Sequence, residues 1–301
     1  MTVEGIRVSS QWLALRDAAD TAARARDLVE HVRRRLPARG RRVIHDLACG
    51  TGAMGRWLAP LLPGPQHWVV HDRDADLLRA ADDDRPGPAA DGASVVVETR
   101  LADITELRVD DLADAALITA SALLDLMTGD ELARLIDVCA GAGCPVLLTL
   151  SVVGRVDLAP ADPLDSRVGA AFDAHQRRMT DGGRLLGPDA VAAAAEGFHR
   201  SGADVLVRPS PWRLGAADAG LTAAWFAGWV GAACEQEPGL VGDAAAYTRR
   251  RLAEARAGQL GVTVGHADLL VLPRRPESSK NPGSRPRVAQ SEAPSSRSEP
   301  G

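Results

Sequence analysis

Asp46, Gly50 and Gly52 fall within VIHDLACGTG, residues 43 to 52, where an apolar run meets an acid and then a glycine turn that opens a helix. Val43 and Ile44 are β-branched and start a strand. Gly50 and Gly52 lack the Cβ atoms that would hold a ligand off the backbone. Asp46 sits near the strand's carboxyl end, beside the crevice where open α/β sheets bind ligands. Chain geometry of this kind binds a nucleoside.

Two cofactors fit such a turn. GTGAMG, residues 50 to 55, satisfies the G-x-G-x-x-G dinucleotide pattern, and Asp72 follows at about the spacing of a ribose-binding acid. Those features suit an NAD(P)-dependent oxidoreductase. Against that reading, the acid lies inside the phrase D-L-A-C-G-T-G. Asp46 there would repel a pyrophosphate, but not a ligand carrying an ammonium and a sulfonium.

That phrase resembles the first motif of the class I S-adenosylmethionine-dependent methyltransferases, a Rossmann-like superfamily, with Ala48 where the family has its first glycine. The resemblance continues in order. HWVVHDRDADLL (67–78) is similar to the second strand, which ends in the acid that takes both ribose hydroxyls, Asp72, with Arg73 along the adenine. TRLADI (99–104) resembles the third-strand loop and implies Asp103 at the adenine amino group, followed by Ile104. ALITASALLDLM (116–127) resembles the fourth strand and its catalytic-face loop, beginning at Ser121, and PVLLTLSVV (145–153) the fifth. The implied cofactor is S-adenosyl-L-methionine, held by Asp46, Ala48, Cys49, Gly50, Gly52, Asp72, Arg73, Asp103, Ile104 and Ser121. The implied activity is methyl transfer, or cofactor binding alone if the chain is a non-catalytic pseudoenzyme.

Methyl transfer requires positioning, and a general base only when the acceptor carries a proton. Asp125, after the fourth strand, and His175, in the segment after the fifth, are the candidates. Trp12 and Arg16 lie where the resembling enzymes fold a helix over the cofactor. Arg16, Arg177 and Arg178 are candidates to clamp an acidic acceptor. Trp212, Trp225 and Trp229 are candidates for an apolar acceptor wall. His31, His199 and His266 have no ligand-type partner nearby in sequence and read as structural. No metal triad is evident in the sequence, and the acceptor is expected to be a small molecule.

The elements that must position these residues follow from periodicity. Apolar residues from Leu15 to Leu36 recur at helical spacing and predict one or two helices before the sheet. Strands and helices then alternate over short connections, the pattern of a doubly wound parallel sheet. Thr128 and Glu131 form a capping box ahead of the fifth strand. The expected fold is a seven-stranded Rossmann-like sheet whose antiparallel last strand is VTVGHADLLVLP (262–273), with helical covering elements. Residues 1–38 form an N-terminal helical cap and 39–273 the methyltransferase domain. Residues 154–187, with a long irregular stretch, and 216–258 are helical insertions. DVLVRP (204–209) is the sixth strand, and the Pro-, Ser- and Arg-rich residues 274–301 read as a disordered tail.

Composition excludes other classes. With 46% hydrophobic residues in 301, the chain can bury a sizeable core, built mainly from Ala, Val and Leu because only 3% of residues are aromatic. A net charge of -5 leaves no basic field for nucleic acid. No segment approaches the length of a membrane span. Cys49, Cys139, Cys144 and Cys234 lack paired spacing, so neither zinc nor disulfides are indicated, and a reducing cytoplasm is the expected setting. A monomer or homodimer is expected.

Overall fold

β1 (Arg42–Leu47) is buried along its whole length, which the β-branched start and apolar end of RVIHDL require of a central strand. A computed structural model describes residues 8–274. β1 lies between β2 (Gln66–Asp72) and β4 (Leu117–Ser121), and β3 (Val95–Leu101) forms one edge of the sheet. Beyond β4 come β5 (Val146–Ala159), β10 (Gly261–Leu272) and β8 (Asp204–Pro209), in the order β3-β2-β1-β4-β5-β10-β8. β1 to β5 are parallel, and β10 runs antiparallel to both of its neighbours, the expected closure of a doubly wound sheet. An eighth strand not expected from the sequence, β9 (Trp212–Leu214), pairs with the first half of β10.

Two apolar layers cover the sheet. On one face α2 (Arg26–Arg35), α3 (Ala53–Leu58) and α4 (Ala75–Asp83) pack Leu28, Val32, Trp57 and Leu78 against Ile44, Trp68 and Val70. On the other, α5 (Gly129–Ala142) and α7 (Ala190–Arg200) pack Leu132, Leu135 and Phe198 against Ile118, Leu148 and Leu269. The capping box opens α5 as expected: Glu131 N–H donates to Thr128 Oγ1 at 3.3 Å and Thr128 N–H to Glu131 Oε2 at 2.8 Å. Of the expected N-terminal cap, only α1 (Ser10–Ala23) lies over the sheet edge, packed on β9; α2 belongs to the sheet's own layer.

A third core cluster forms the cap itself, from α6 (Asp165–Gln176), α8 (Ala219–Gln236), α9 (Val241–Arg256) and the outer ends of β5 and β10. The expectation of an irregular segment after residue 153 is corrected here. β5 continues through Gly154, Arg155 and Asp157 to Ala159, pairing Val156 with Val264 and Leu158 with Val262. Polar residues alternate with Val156 and Leu158, so one side of this ribbon faces water and the other the cap core. β6 (Met179–Thr180) and β7 (Gly183–Arg184) form a short hairpin. No helix among the described residues is long and apolar enough to cross a membrane. The expected tail, apart from Arg274, lies outside the described residues, as do residues 1–7.

Among the described residues, three other than glycine have left-handed backbone: Ala48 (φ 53), Ala122 (φ 52) and Leu150 (φ 58). They follow β1, follow β4 and interrupt β5, and all three line the same cavity. Each costs on the order of 1 kcal/mol, strain of the kind proteins keep at functional sites. At Ala48 glycine would relieve it. Ala48→Gly is therefore expected to raise unfolding free energy by about 1 kcal/mol, measured by urea titration of the unliganded protein. A decrease would mean that the Ala48 methyl group is a packing contact rather than a source of strain.

Candidate functional site

The carboxyl ends of β1 to β5 and the cap enclose a cavity of about 820 Å³, near the upper end of ligand-pocket sizes. The turn after β1 forms its floor. Gly50 (φ 55) and Gly52 (φ 78) take the left-handed conformation that glycine adopts without penalty. Three amides of this turn are already bonded within the protein. Cys49 N–H donates to the His71 carbonyl, Gly50 N–H to Asp72 Oδ2 at 2.9 Å and Gly52 N–H to the Cys49 carbonyl. A side chain at position 50 would meet Leu13 of α1, whose Cδ1 lies 3.0 Å from the site of a Cβ.

Three acids reach the floor from successive strands. Asp46, 1% exposed, accepts the Thr119 hydroxyl through Oδ1 at 2.7 Å, while its Oδ2 is buried without a partner. Burial pushes its carboxyl up to about 7, against the downward pull of Thr119 and Arg24, with a further push from Asp72. Asp72, at the end of β2, accepts Gly50 N–H through Oδ2 and Asp74 N–H through Oδ1, both at 2.9 Å. Asp103 accepts the amide and hydroxyl of Thr105 through Oδ1 at 2.9 and 2.7 Å, and so fixes the turn that carries Ile104. Ala48, Cys49, Arg73, Ile104 and Ser121 also line the cavity. Burial raises the Cys49 thiol, which keeps it protonated.

Gly52 is a correction. It does not line the cavity; its missing Cβ would lie 3.3 Å from Ala81 Cβ, so glycine there lets α3 and α4 pack closely.

Arg24, the residue that ends α1, is not among the candidates expected from the sequence. It is 3% exposed and donates through Nη2 to Ser121 Oγ at 3.3 Å, with its guanidinium 5.4 Å from the centre of the Trp57 ring. Nε and Nη1 are buried without partners. Burial lowers its pKa, while Asp20, Asp17, Asp268 and Asp46 oppose that shift. A guanidinium held out of water with two nitrogens unpaired is costly unless a ligand anion completes it.

The helix junction that presents Arg24 is fixed by Asp268 of β10. Its Oδ2 accepts Ala25 N–H at 2.8 Å; its Oδ1 accepts Leu150 N–H at 2.8 Å and the Ser210 hydroxyl at 2.5 Å. Leu150 is where β5 and β10 change register, so a side chain takes the amide that the sheet ladder leaves out.

The cap supplies a different surface. Trp12, Phe172, Trp212 and Trp225 line it, together with Arg16, Asp125 and His266. Arg16 is engaged by Asp20, Nε to Oδ2 at 2.9 Å and Nη2 to Oδ1 at 3.2 Å, and lies over the Trp212 ring. Asp125 is half-buried, and burial raises its carboxyl above the usual range. His266, read from sequence as structural, is a wall residue. Its ring centre is 5.2 Å from that of Trp212, Nδ1 is buried without a partner, and burial, followed by Arg16, lowers its pKa to about 3.

Other expected residues lie elsewhere. His175 and Arg178 line a separate cavity of about 170 Å³ that shares Asp125, Leu126 and Phe172 with the main one. His175 Nε2 is bonded to Glu235 at 3.1 Å, and Arg178 donates to the His175 carbonyl at 3.2 Å. Arg177 pairs with Asp189 at 2.6 and 2.8 Å. The three arginines therefore do not converge into a clamp. Trp229 stacks on Trp225 in the cap core, behind the wall.

No protein-family model and no curated protein matches the chain. Among solved structures, it is similar to a cyclopropane synthase from Mycobacterium tuberculosis, with 14% identity over 88% of this chain and 94% of that one and a TM-score of 0.47. It is similar to an SAM-dependent methyltransferase from Geobacter sulfurreducens in complex with S-adenosyl-L-homocysteine, with 13% identity over 89% and 100% of the two chains and a TM-score of 0.42. A third is magnesium protoporphyrin IX methyltransferase from Synechocystis with bound SAH, at 14% identity, 70% and 84% coverage and a TM-score of 0.41.

Proposed function

We propose that the protein binds S-adenosylmethionine at the carboxyl edge of β1 to β4 and transfers its methyl group to a small-molecule acceptor under the cap. The observation that carries this reading is the pair of uncompensated buried groups beside the glycine turn, Asp46 Oδ2 and the Arg24 guanidinium. An amino acid's ammonium and carboxylate complement that pair. Asp72 would hold the ribose hydroxyls, and Asp103 and Ile104 the adenine. Bound, the cofactor supplies an electrophilic methyl group on a sulfonium. The cap encloses the space beside it and excludes competing water. Asp125 would receive the acceptor's proton, a role favoured by its raised carboxyl. The four free cysteines suit a reducing cytoplasm.

Dinucleotide binding is disfavoured by the turn itself. A pyrophosphate would meet the buried Asp46 carboxylate beside a turn whose Cys49, Gly50 and Gly52 amides are occupied and whose Gly50 is covered by Leu13. Calorimetry on one preparation tests the reading: S-adenosylmethionine and S-adenosylhomocysteine are expected to bind, and NADPH to give no heat. NADPH binding without either nucleoside would overturn it.

A further inference from the structure

The cap wall has a distinct chemistry. Three of the chain's six tryptophans, Trp12, Trp212 and Trp225, line this one space, in a protein where aromatic residues make up 3%. They come from α1, β9 and α8, elements far apart in sequence. Its charged groups are the Arg16–Asp20 pair and Asp125, the carboxyl that the transfer reading assigns to the acceptor's proton. Arg16 is bonded through two nitrogens to Asp20, and Asp20 also accepts the Trp212 indole N–H at 2.9 Å, so both members of the pair are committed. Arg177 and Arg178 do not reach the main cavity. Among the described residues, the buried unpaired guanidinium nitrogens at this cavity are those of Arg24, which the cofactor's carboxylate would take, and the Asp125 carboxyl would oppose an anionic acceptor.

Besides Asp125, the polar group among the tryptophans is His266, 5% exposed. A neutral imidazole carries one N–H and one lone pair in either tautomer, so it can accept a single hydrogen bond from a ligand. Flat π-faced ligands gain from tilted or offset contact with indole rings beyond the area they bury, and an aliphatic chain does not.

We propose that the acceptor is a flat, uncharged aromatic molecule carrying a hydroxyl or ring N–H, bound among Trp12, Trp212 and Trp225 with that donor held by His266. This rests on the transfer reading above for the word acceptor, and on the wall alone for the ligand class.

The test is tryptophan fluorescence titration of the full chain with four probes: 2-naphthol, naphthalene, 2-naphthoate and 1-decanol. 2-Naphthol is expected to bind about tenfold or more tighter than 2-naphthoate or 1-decanol. His266→Phe is expected to weaken 2-naphthol by about five- to tenfold and leave naphthalene unchanged. Trp225→Leu is expected to weaken both aromatic probes. S-adenosylhomocysteine calorimetry on each variant reports whether the fold and cofactor site persist. Should His266→Phe fail to fold, Trp225→Leu and the four-probe ranking on the native chain decide the matter. Equal or tighter binding of 2-naphthoate or 1-decanol overturns the proposal, as does unchanged 2-naphthol affinity in a folded His266→Phe protein. If 2-naphthol binds as expected but S-adenosylhomocysteine does not bind the native chain, the transfer reading fails and the ligand class stands. The reverse result sinks the ligand class alone.

Discussion

Asp46→Asn is expected to weaken S-adenosylhomocysteine binding at pH 8 by roughly 1.5–3 kcal/mol, about ten- to a hundredfold, while making the unliganded protein more stable. The two effects share one cause. Burial holds the Asp46 carboxyl near 7, far above its ordinary 3.8. An acid with a raised folded pKa favours folding most below its unfolded value, and that contribution is lost as pH rises through the folded value. The loss for Asp46 between about pH 4 and 7 is on the order of 4 kcal/mol. Asparagine resembles the protonated acid and escapes it. A ligand ammonium needs the carboxylate, so native-chain affinity is expected to climb by up to about tenfold per pH unit from about pH 5 to 7 and then level off. The groups facing Asp46 are Thr119, Arg24 and Asp72. Calorimetry across that range, with urea unfolding at pH 8, tests both halves. An Asn variant that keeps the native slope, or loses stability at pH 8, removes Asp46 from the ligand.

Asp72→Ala is expected to raise the dissociation constant for S-adenosylhomocysteine by about ten- to a hundredfold, for roughly 1.5–3 kcal/mol of hydrogen bonding to a charged group. Its carboxylate has a second task, since its two oxygens hold the Gly50 and Asp74 amides. Alanine should therefore also lower unfolding free energy by about 1–3 kcal/mol, the cost of leaving such donors unpaired. Adenosine, which lacks the amino acid part, separates the two sites: Asp72→Ala should weaken adenosine and S-adenosylhomocysteine equally, whereas Asp46→Asn should weaken only the latter. Unchanged adenosine affinity in the Asp72 variant would move the ribose site elsewhere.

The residues that sequence made legible share a local origin. Asp46, Asp72, Asp103 and Ser121 lie at or just after strand carboxyl ends, and a parallel sheet brings those ends to one edge whatever the rest of the chain does. Arg24 and His266 were not legible because their burial depends on long-range contacts. Arg24 is one arginine in a helical stretch full of them, and only docking across β10 takes it out of water. His266 follows a register shift in β10 that no alternation pattern foretells. His175 was misplaced because α6 turns Phe172 into the main cavity and carries His175 to the smaller one. Gly52 was misassigned because a glycine spared for helix packing and one spared for a ligand look alike in sequence.

Asp268 gathers four parts of the chain that are remote in order of synthesis: the junction at Ala25, the kink at Leu150, the corner at Ser210 and its own strand. On a ribosome, the glycine turn and its three acids emerge early. The guanidinium that completes the floor gains its anchor only after residues 261–272 have left the exit tunnel and inserted between β5 and β8. Completion of the floor is thus a late event in the life of each molecule, and a chain stalled before β10 carries every acid of the floor without the arginine anchored beside them.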